Sequence, residues 1–458
     1  MKPFAAAWML LLVLPTSAIA QQPSSPGDAG ETQARSEDRP LAPPSTGARA
    51  IALDPWLPSL VRSNVSAQEQ AGKSGFDHGF YIQSADGAFV FRPFGLIHTD
   101  LRLAESGRQI NTDATQASTF VVRRLRIGFE GQLYRSIAYD LEANVGAGGA
   151  ELIYAWMNFG HMPRAQVRVG QFKEPFSYEV LLPETSLDFV ERSVVATVVA
   201  PAEDIGAMLH NFGAPLGGLV EYGIGMFNGL GATLEKTDPN KTFEYVGRLA
   251  IYPFAASSNR FFKSTRIAGY ALVEGNRPQG VDIKPRTPLG FEFMPRIPTN
   301  GRRLATGGDV QFILGPFSTK AEYIRNIEDT PSGRDAVMNG WHVDVTHVVT
   351  GQAKVLRMEH GVEITGRIEQ LRGDAGSPTI VAGFTDELGS PVVFDRNQVT
   401  TLTIGVNHYL NYNTKFQVNY QSDWFGNSLF TPTSRVGSTL QAGSRFRPKV
   451  LARVQLYF

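Results

Sequence analysis

Arginine stands at positions 123, 124 and 126, inside the segment Phe120–Tyr134. A guanidinium is charged at any physiological pH and presents five donors in a planar fork, so several of them in a partly desolvated place suit carboxylate, sulfate or phosphate. Arg124 and Arg126 share one face of an extended strand with Glu130 and Gln132, while Leu125, Ile127, Phe129 and Leu133 take the other. Arg123 has the opposite parity, which predicts a place near the strand's watery end or at an interface, where long cationic side chains snorkel. Pairing with Glu130 or Glu142 is as good a reading of these arginines as an anion site. Lys173 and Arg192 bracket most of a long stretch with broken alternation, roughly 30 residues between Phe172 and Ile205 and far longer than a tight turn.

Catalytic chemistry finds little support. There is no G-x-S-x-G elbow, no H-E-x-x-H and no glycine-rich phosphate loop between a strand and a helix. His78, His98, His161, His210, His342, His347, His360 and His408 have no metal-ligand spacing, and the absence of cysteine removes thiolate sites and disulfides. The carboxylate pairs Glu203-Asp204 and Asp386-Glu387 fall in predicted loops, where solvated charge is the ordinary reading. The expectation is a protein that is not an enzyme and needs no cofactor or metal. Lysine plus arginine equals aspartate plus glutamate at 43 each, which gives no reason to expect nucleic acid as a partner. Any electrostatic role must be local.

The elements that would position these residues are strands. The 458 residues include 46 glycines, 29 phenylalanines and 14 tyrosines, a mix richer in turn and aromatic residues than in helix formers. Residues 1–20 read as a cleaved signal, with Lys2, an apolar run from Ala5 to Leu14, and the triplet Ala18-Ile19-Ala20 before Gln21. That run is shorter than the ~20 residues needed to span a bilayer. Residues 21–75, rich in Pro, Ser and Gly, read as a flexible periplasmic leader, and 76–458 as the folded domain.

From Phe80 onward no apolar run approaches spanning length, so a membrane protein of this sequence must close its backbone hydrogen bonds as a barrel. Alternation recurs at Ile137–Val145, Leu152–Gly160, Gln166–Phe172, Leu219–Asn228, Phe243–Tyr252, Arg266–Val273, Phe317–Ile327, Trp341–Val349, Glu359–Leu371, Val399–Leu410 and Phe416–Trp424. Less regular stretches lie near Phe89–Leu103, Ile205–His210 and Gly308–Leu314. The last residues alternate to the end, Val450, Ala452, Val454, Leu456 and Phe458 against Leu451, Arg453, Gln455 and Tyr457, as in a strand that closes a barrel at an aromatic girdle. The predicted fold is all-β, a transmembrane antiparallel barrel of about 16 strands, the size that leaves an aqueous lumen. Lumen charge then sets ion selectivity, and the stretch after Phe172 either folds into that lumen, placing Lys173 and Arg192 at a constriction, or caps it from outside.

The segments "FYIQSADGAFVFRPFGLIHTDLR", "FVVRRLRIGFEGQLY", "VRVGQFKEPFSYEVL", "FVERSVV" followed by "DIGAML", "YGIGMFNG" and "GRLAIYPF" together resemble the phosphate-selective porin family, over Phe80 to Phe458. The resemblance implies a sixteen-stranded homotrimeric porin in the outer membrane of a Gram-negative bacterium, with an inward-folded third loop and a basic lumen passing small anions, phosphate among them. It matches Arg123 and Arg124 to the family's paired arginines. It places Lys284 and Arg286, in "VDIKPRTPLGFEFMPR", in a segment similar to its basic ladder. The chain departs from the family where phosphate-selective members carry loop lysines, having Glu184, Thr185, Ser186 and Asp188 ahead of Glu191 and Arg192. Strong phosphate preference is not implied. The signal reading predicts that protein recovered from membranes begins at Gln21 by intact mass; a chain still carrying Lys2 would overturn it.

Overall fold

The computed structural model describes residues 73–458 apart from 105–117, 147–148, 232–241, 260–261, 278–280, 428–434, 437–438 and 441–443; the predicted signal and all but the last residues of the predicted leader lie outside the described residues. Sixteen strands form the wall. They are β1 (Val90–Ala104), β2 (Thr119–Leu133), β3 (Ile137–Asn144), β4 (Glu151–Phe159), β5 (Gln166–Lys173), β6 (Glu203–His210), β7 (Val220–Phe227) and β8 (Glu244–Ile251). The second half comprises β9 (Arg266–Arg277), β10 (Gly301–Leu314), β11 (Phe317–Asp329), β12 (Asp335–Val348), β13 (Gly361–Thr385), β14 (Pro391–Asn411), β15 (Thr414–Phe425) and β16 (Phe446–Tyr457). No described helix is long and apolar enough to cross a membrane.

Each strand pairs antiparallel with the next, and β16 pairs with β1 from Lys449↔Ala104 to Tyr457↔Leu96, which closes the barrel. The terminal residue completes the seam: Gly95 N donates to Phe458 O at 2.7 Å and Phe458 N to Gly95 O at 3.0 Å. A Cβ on Gly95 would lie 2.6 Å from the Phe458 ring, so the bare backbone there is what lets the last aromatic lie flat on the first strand. A hairpin, Lys73–Phe76 with Phe80–Gln83, pairs through Gln83↔Val90 onto the start of β1, so the last residues of the predicted leader are strand.

The wall separates two solvents. Along β15, Phe416, Val418 and Tyr420 are exposed outward, while Lys415, Gln417, Asn419 and Gln421 are buried inward. Along β12 the exposed Val343 and Val345 alternate with buried His342, Asp344 and Thr346. This inversion of the usual pattern places apolar side chains where a bilayer would surround them and polar ones inside. Nearer the long connections, the inner wall turns apolar: Phe227, Leu272, Ile324, Met338 and Leu371 pack with Phe172 and with Phe176, Val194, Val195 and Val199 of the 174–202 connection. Phe291, Phe293, Met294 and Ile297 of the β9–β10 connection join the same core. One side of the barrel interior is therefore packed rather than open.

Glu203 and Asp204 correct the sequence reading, which placed them in a loop; they open β6, paired as Lys173↔Glu203 and Phe172↔Asp204. The Asp204 carboxylate accepts from Ile205 N and Gly229 N, each at 2.6 Å, so it serves the strand end rather than solvent. β10 starts at Gly301 and β13 runs to Thr385, both beyond their predicted limits, because pairing with a neighbour extends a strand past the point where its own alternation fades.

Gly170 carries φ 120° in the middle of β5, and a Cβ there would meet Ala155 O at 2.1 Å. A Cβ on Gly366 in β13 would meet nothing within 4 Å. Gly170→Ala is expected to cost about 2 kcal/mol or more in urea unfolding of the detergent-refolded barrel, and Gly366→Ala to be near neutral; equal effects would contradict the close approach at Gly170.

Candidate functional site

The connection from 174 to 202 is built by short capped elements: α1 (Tyr178–Leu181) starts on Ser177, whose hydroxyl accepts from Val180 N, and α2 (Val194–Val198) starts on Ser193, whose hydroxyl accepts from Ala196 N. A 3-10 turn, Glu184–Ser186, lies between them. Its bonds go to inner-face residues of distant strands. Ser177 Oγ and Tyr178 N donate to Glu322 of β11 at 3.0 and 3.1 Å, Val190 N to Asn419 of β15 at 2.8 Å, and Val194 N to Glu369 of β13 at 2.5 Å. Arg453 of β16 reaches Val190 O, and Gln455 donates to Thr185 O at 3.2 Å.

Two loop carboxylates gather the predicted cations. Glu184 meets Arg192 at 2.8 Å, Arg126 at 3.5 Å, Lys173 at 3.7 Å and Arg124 at 4.0 Å. Arg126 also pairs with Glu142 at 2.7 Å, one of the two partners its sequence position suggested. Glu191 meets Arg123 at 2.8 Å, Arg453 at 3.2 Å and Arg102 at 3.9 Å, and Arg453 is held in turn by Asp100 at 2.7 Å. Burial alone would raise the Glu191 carboxyl, but Arg123, Arg453 and Arg124 hold it down at about 2.

Of the two places its parity suggested, near the strand's watery end or at an interface, Arg123 lies in the opening residues of β2, Thr119–Leu133, and is not directed outward. The β1–β2 register skips between His98↔Arg124 and Thr99↔Val122, leaving Arg123 as the extra residue of a bulge, and it reaches Glu191 on the inside. A bulge changes which face a residue takes, which parity counting cannot register. Arg123 keeps 35% of its side chain exposed and Arg102 keeps 20%, whereas Arg124 and Arg126 are buried. Lys173 and Arg192 are spent on the connection itself: Lys173 donates to Leu182 O at 2.9 Å, and Arg192 to Leu182 O at 2.7 Å and Glu179 O at 3.0 Å. Lys284 and Arg286 are exposed on the β9–β10 connection, where Ile283, Pro285 and Thr287 between and beside them are buried, and neither joins this cluster.

Sequence reasoning missed Arg102, Arg453 and the group around His342. Arg102 and Arg453 had a usable signal, since each shares parity with polar residues on a strand, Asp100 and Gln455 respectively. His342 Nε2 lies 3.2 Å from Glu322 and 3.6 Å from Glu179, with Nδ1 3.1 Å from Asp344. Glu179, Glu322 and His342 are close enough to hold a metal ion. Their oxygens are nonetheless engaged: Glu322 also accepts from Tyr270 OH at 2.5 Å, and Glu179 accepts from Ser193 N at 3.0 Å and pairs with Arg367. The group latches α1 and α2 to the wall.

A closed sixteen-stranded antiparallel barrel, apolar outside and charged within, defines an outer-membrane porin. The sequence model of the family "Phosphate-selective porin O and P" matches residues 95–423, and the chain belongs to that family, whose place is the outer membrane of Gram-negative bacteria. Among curated protein sequences none matches. Solved structures share the fold at low identity. The outer membrane channel DcaP of Acinetobacter baumannii is 10% identical with TM-score 0.52, covering 85% of this chain and 100% of its own. The anion-selective porin from Comamonas acidovorans is 12% identical with TM-score 0.50, covering 81% and 100%.

Because Glu191 is depressed below its ordinary 4.5, its stabilising contribution is full above that value and lost as pH falls through about 2. The stability difference between wild type and Glu191→Gln should be complete at pH 7, shrink below 4.5 and close near 2. A difference constant over that range in guanidinium unfolding would show that the carboxylate is not held by these arginines.

Proposed function

We propose that the barrel passes small anions by passive diffusion, with Arg102 and Arg123 as the cationic edges that meet them, and without tight selection for phosphate. The observation that carries this reading is that these two guanidiniums share Glu191 yet remain partly exposed, while the deeper cations are matched by carboxylates. An arginine already paired on one edge offers its remaining donors to a passing anion, and a narrow low-dielectric passage strengthens that attraction. Arg126, Lys173 and Arg192 each pair with Glu184 or Glu142, which weakens the hold any of them has on a passing phosphate. The 174–202 connection acts as the constriction in this reading, supported by its hydrogen bonds to inner-face residues of β11, β13, β15 and β16. The remaining parts of the proposal are a cleaved signal over 1–20, a periplasmic leader ahead of the barrel, and a homotrimer, the assembly implied by family likeness. Lys284 and Arg286 serve at most as an outer attractant for solutes, given their exposure.

Planar-bilayer recording of the refolded protein under a salt gradient tests the reading. Anion-selective current with phosphate block only at about millimolar concentration or above is expected, and Arg123→Gln should reduce the anion-to-cation permeability ratio by roughly half. Block at micromolar phosphate would establish a phosphate-selective channel instead, and a folded barrel without current would leave a structural or adhesive role.

A further inference from the structure

Three lysines, two from separate strands of the wall and one from a connection, converge on residues 185–188 of the 174–202 connection. Lys320 of β11 pairs with Asp188 Oδ2, and Lys354 of the β12–β13 connection lies 2.6 Å from Asp188 Oδ1. Lys415 of β15 donates to Leu187 O at 2.8 Å and to Thr185 O at 3.2 Å. Lys354 also meets Glu363 at 2.5 Å, and Asn407 Nδ2 donates to the backbone oxygen of Asp188 at 2.8 Å. Asp188, Lys354, Lys415 and Glu363 are each more than nine-tenths buried.

An ammonium group has three donors and no acceptor, and like charges this close repel strongly in a place shielded from water. Asp188 and Glu363 are the carboxylates set against the three lysines; Asp344 also faces Lys320, but it is taken up by Arg367 at 2.7 Å and His342 at 3.1 Å. Without Asp188, Lys354 and Lys415 would be left with Glu363, and Lys320 with the already committed Asp344. The two oxygens of Asp188 stand where one edge of a free phosphate, sulfate or carboxylate would sit. The cleft bordering Lys320, Asp188, Tyr178 and His342 is narrow, with room for about one water.

We propose that Asp188 is a tethered counter-ion: its carboxylate fills an oxyanion site built by Lys320, Lys354 and Lys415, and its presence keeps the anion affinity of this barrel low. The inference rests on the porin reading, yet it can be tested without current. In detergent-refolded full-length protein titrated with sulfate, Asp188→Ala, which removes both charge and volume, should bind at least about tenfold tighter than wild type, and adding Lys354→Met should abolish the gain. Equal sulfate affinity in wild type and Asp188→Ala overturns the proposal. Should Asp188→Ala fail to fold, Asp188→Asn retains the shape and should raise the anion-to-cation permeability ratio in bilayers by roughly twofold or more; an unchanged ratio overturns the proposal equally. A wild type that conducts while neither variant gains anion affinity or selectivity sinks this inference alone, whereas a variant that gains sulfate affinity in a barrel without current supports it and sinks the porin reading alone.

Discussion

Everything else in this molecule depends on the seam between β16 and β1. A sheet in hydrocarbon has no water to satisfy its edges, and each unpaired backbone group there costs several kcal/mol. The chain removes its edges by pairing its last strand with its first, down to a reciprocal pair of hydrogen bonds between Gly95 and Phe458. Only a closed wall has an inside. Once closed, the two faces of every strand meet different surroundings, and the same alternation that exposes Val418 and Tyr420 sends Asn419 and Gln421 inward.

Closure creates a second problem, which the 174–202 connection resolves. Inward-facing charges such as Arg126, Arg367 and Arg453 sit where water is scarce, and a buried charge is tolerated only when paired and hydrogen-bonded. The connection supplies Glu179, Glu184, Asp188 and Glu191, which meet Arg367, Arg126, Lys320 and Arg123 of the wall among their partners. Breaking such a pair from one side is expected to cost about 3–5 kcal/mol, so the same contacts that moderate lumen charge also lock the connection in place. In the proposed reading, stability and permeation chemistry are coupled through the same four carboxylates. Arg102 and Arg123, both partly exposed, share Glu191 with Arg453.

How much could be read in advance differs by element. Strands such as β15 and β16 were legible because a period of two residues is written into their hydropathy. β10 and β13 were legible only in part, since their outer ends depend on a neighbour's pairing rather than on their own pattern. At the site, the basic character of Arg123, Arg124 and Arg126 was plain, but the inward turn of Arg123 was not, because it comes from a one-residue bulge against His98 and Thr99. Lys173 and Arg192 stood out as cations near a long connection, while their commitment to Glu184 and to backbone carbonyls depends on how that connection folds.

The sequence by itself determined the class of this protein: with alternating segments and no spanning apolar run from Phe80 onward, a closed barrel is the way this chain can satisfy its backbone in a membrane. Those properties are local, so they survive being read one segment at a time. Tertiary structure alone decided which charges meet. Asp188 lies 132 residues from Lys320 and 166 from Lys354, and Glu191 lies 262 from Arg453, separations over which no periodicity carries information. The physical reason is that Coulomb energy depends on distance and on exclusion of water, and both are set by the curvature of the wall and by the contacts the 174–202 connection makes with it.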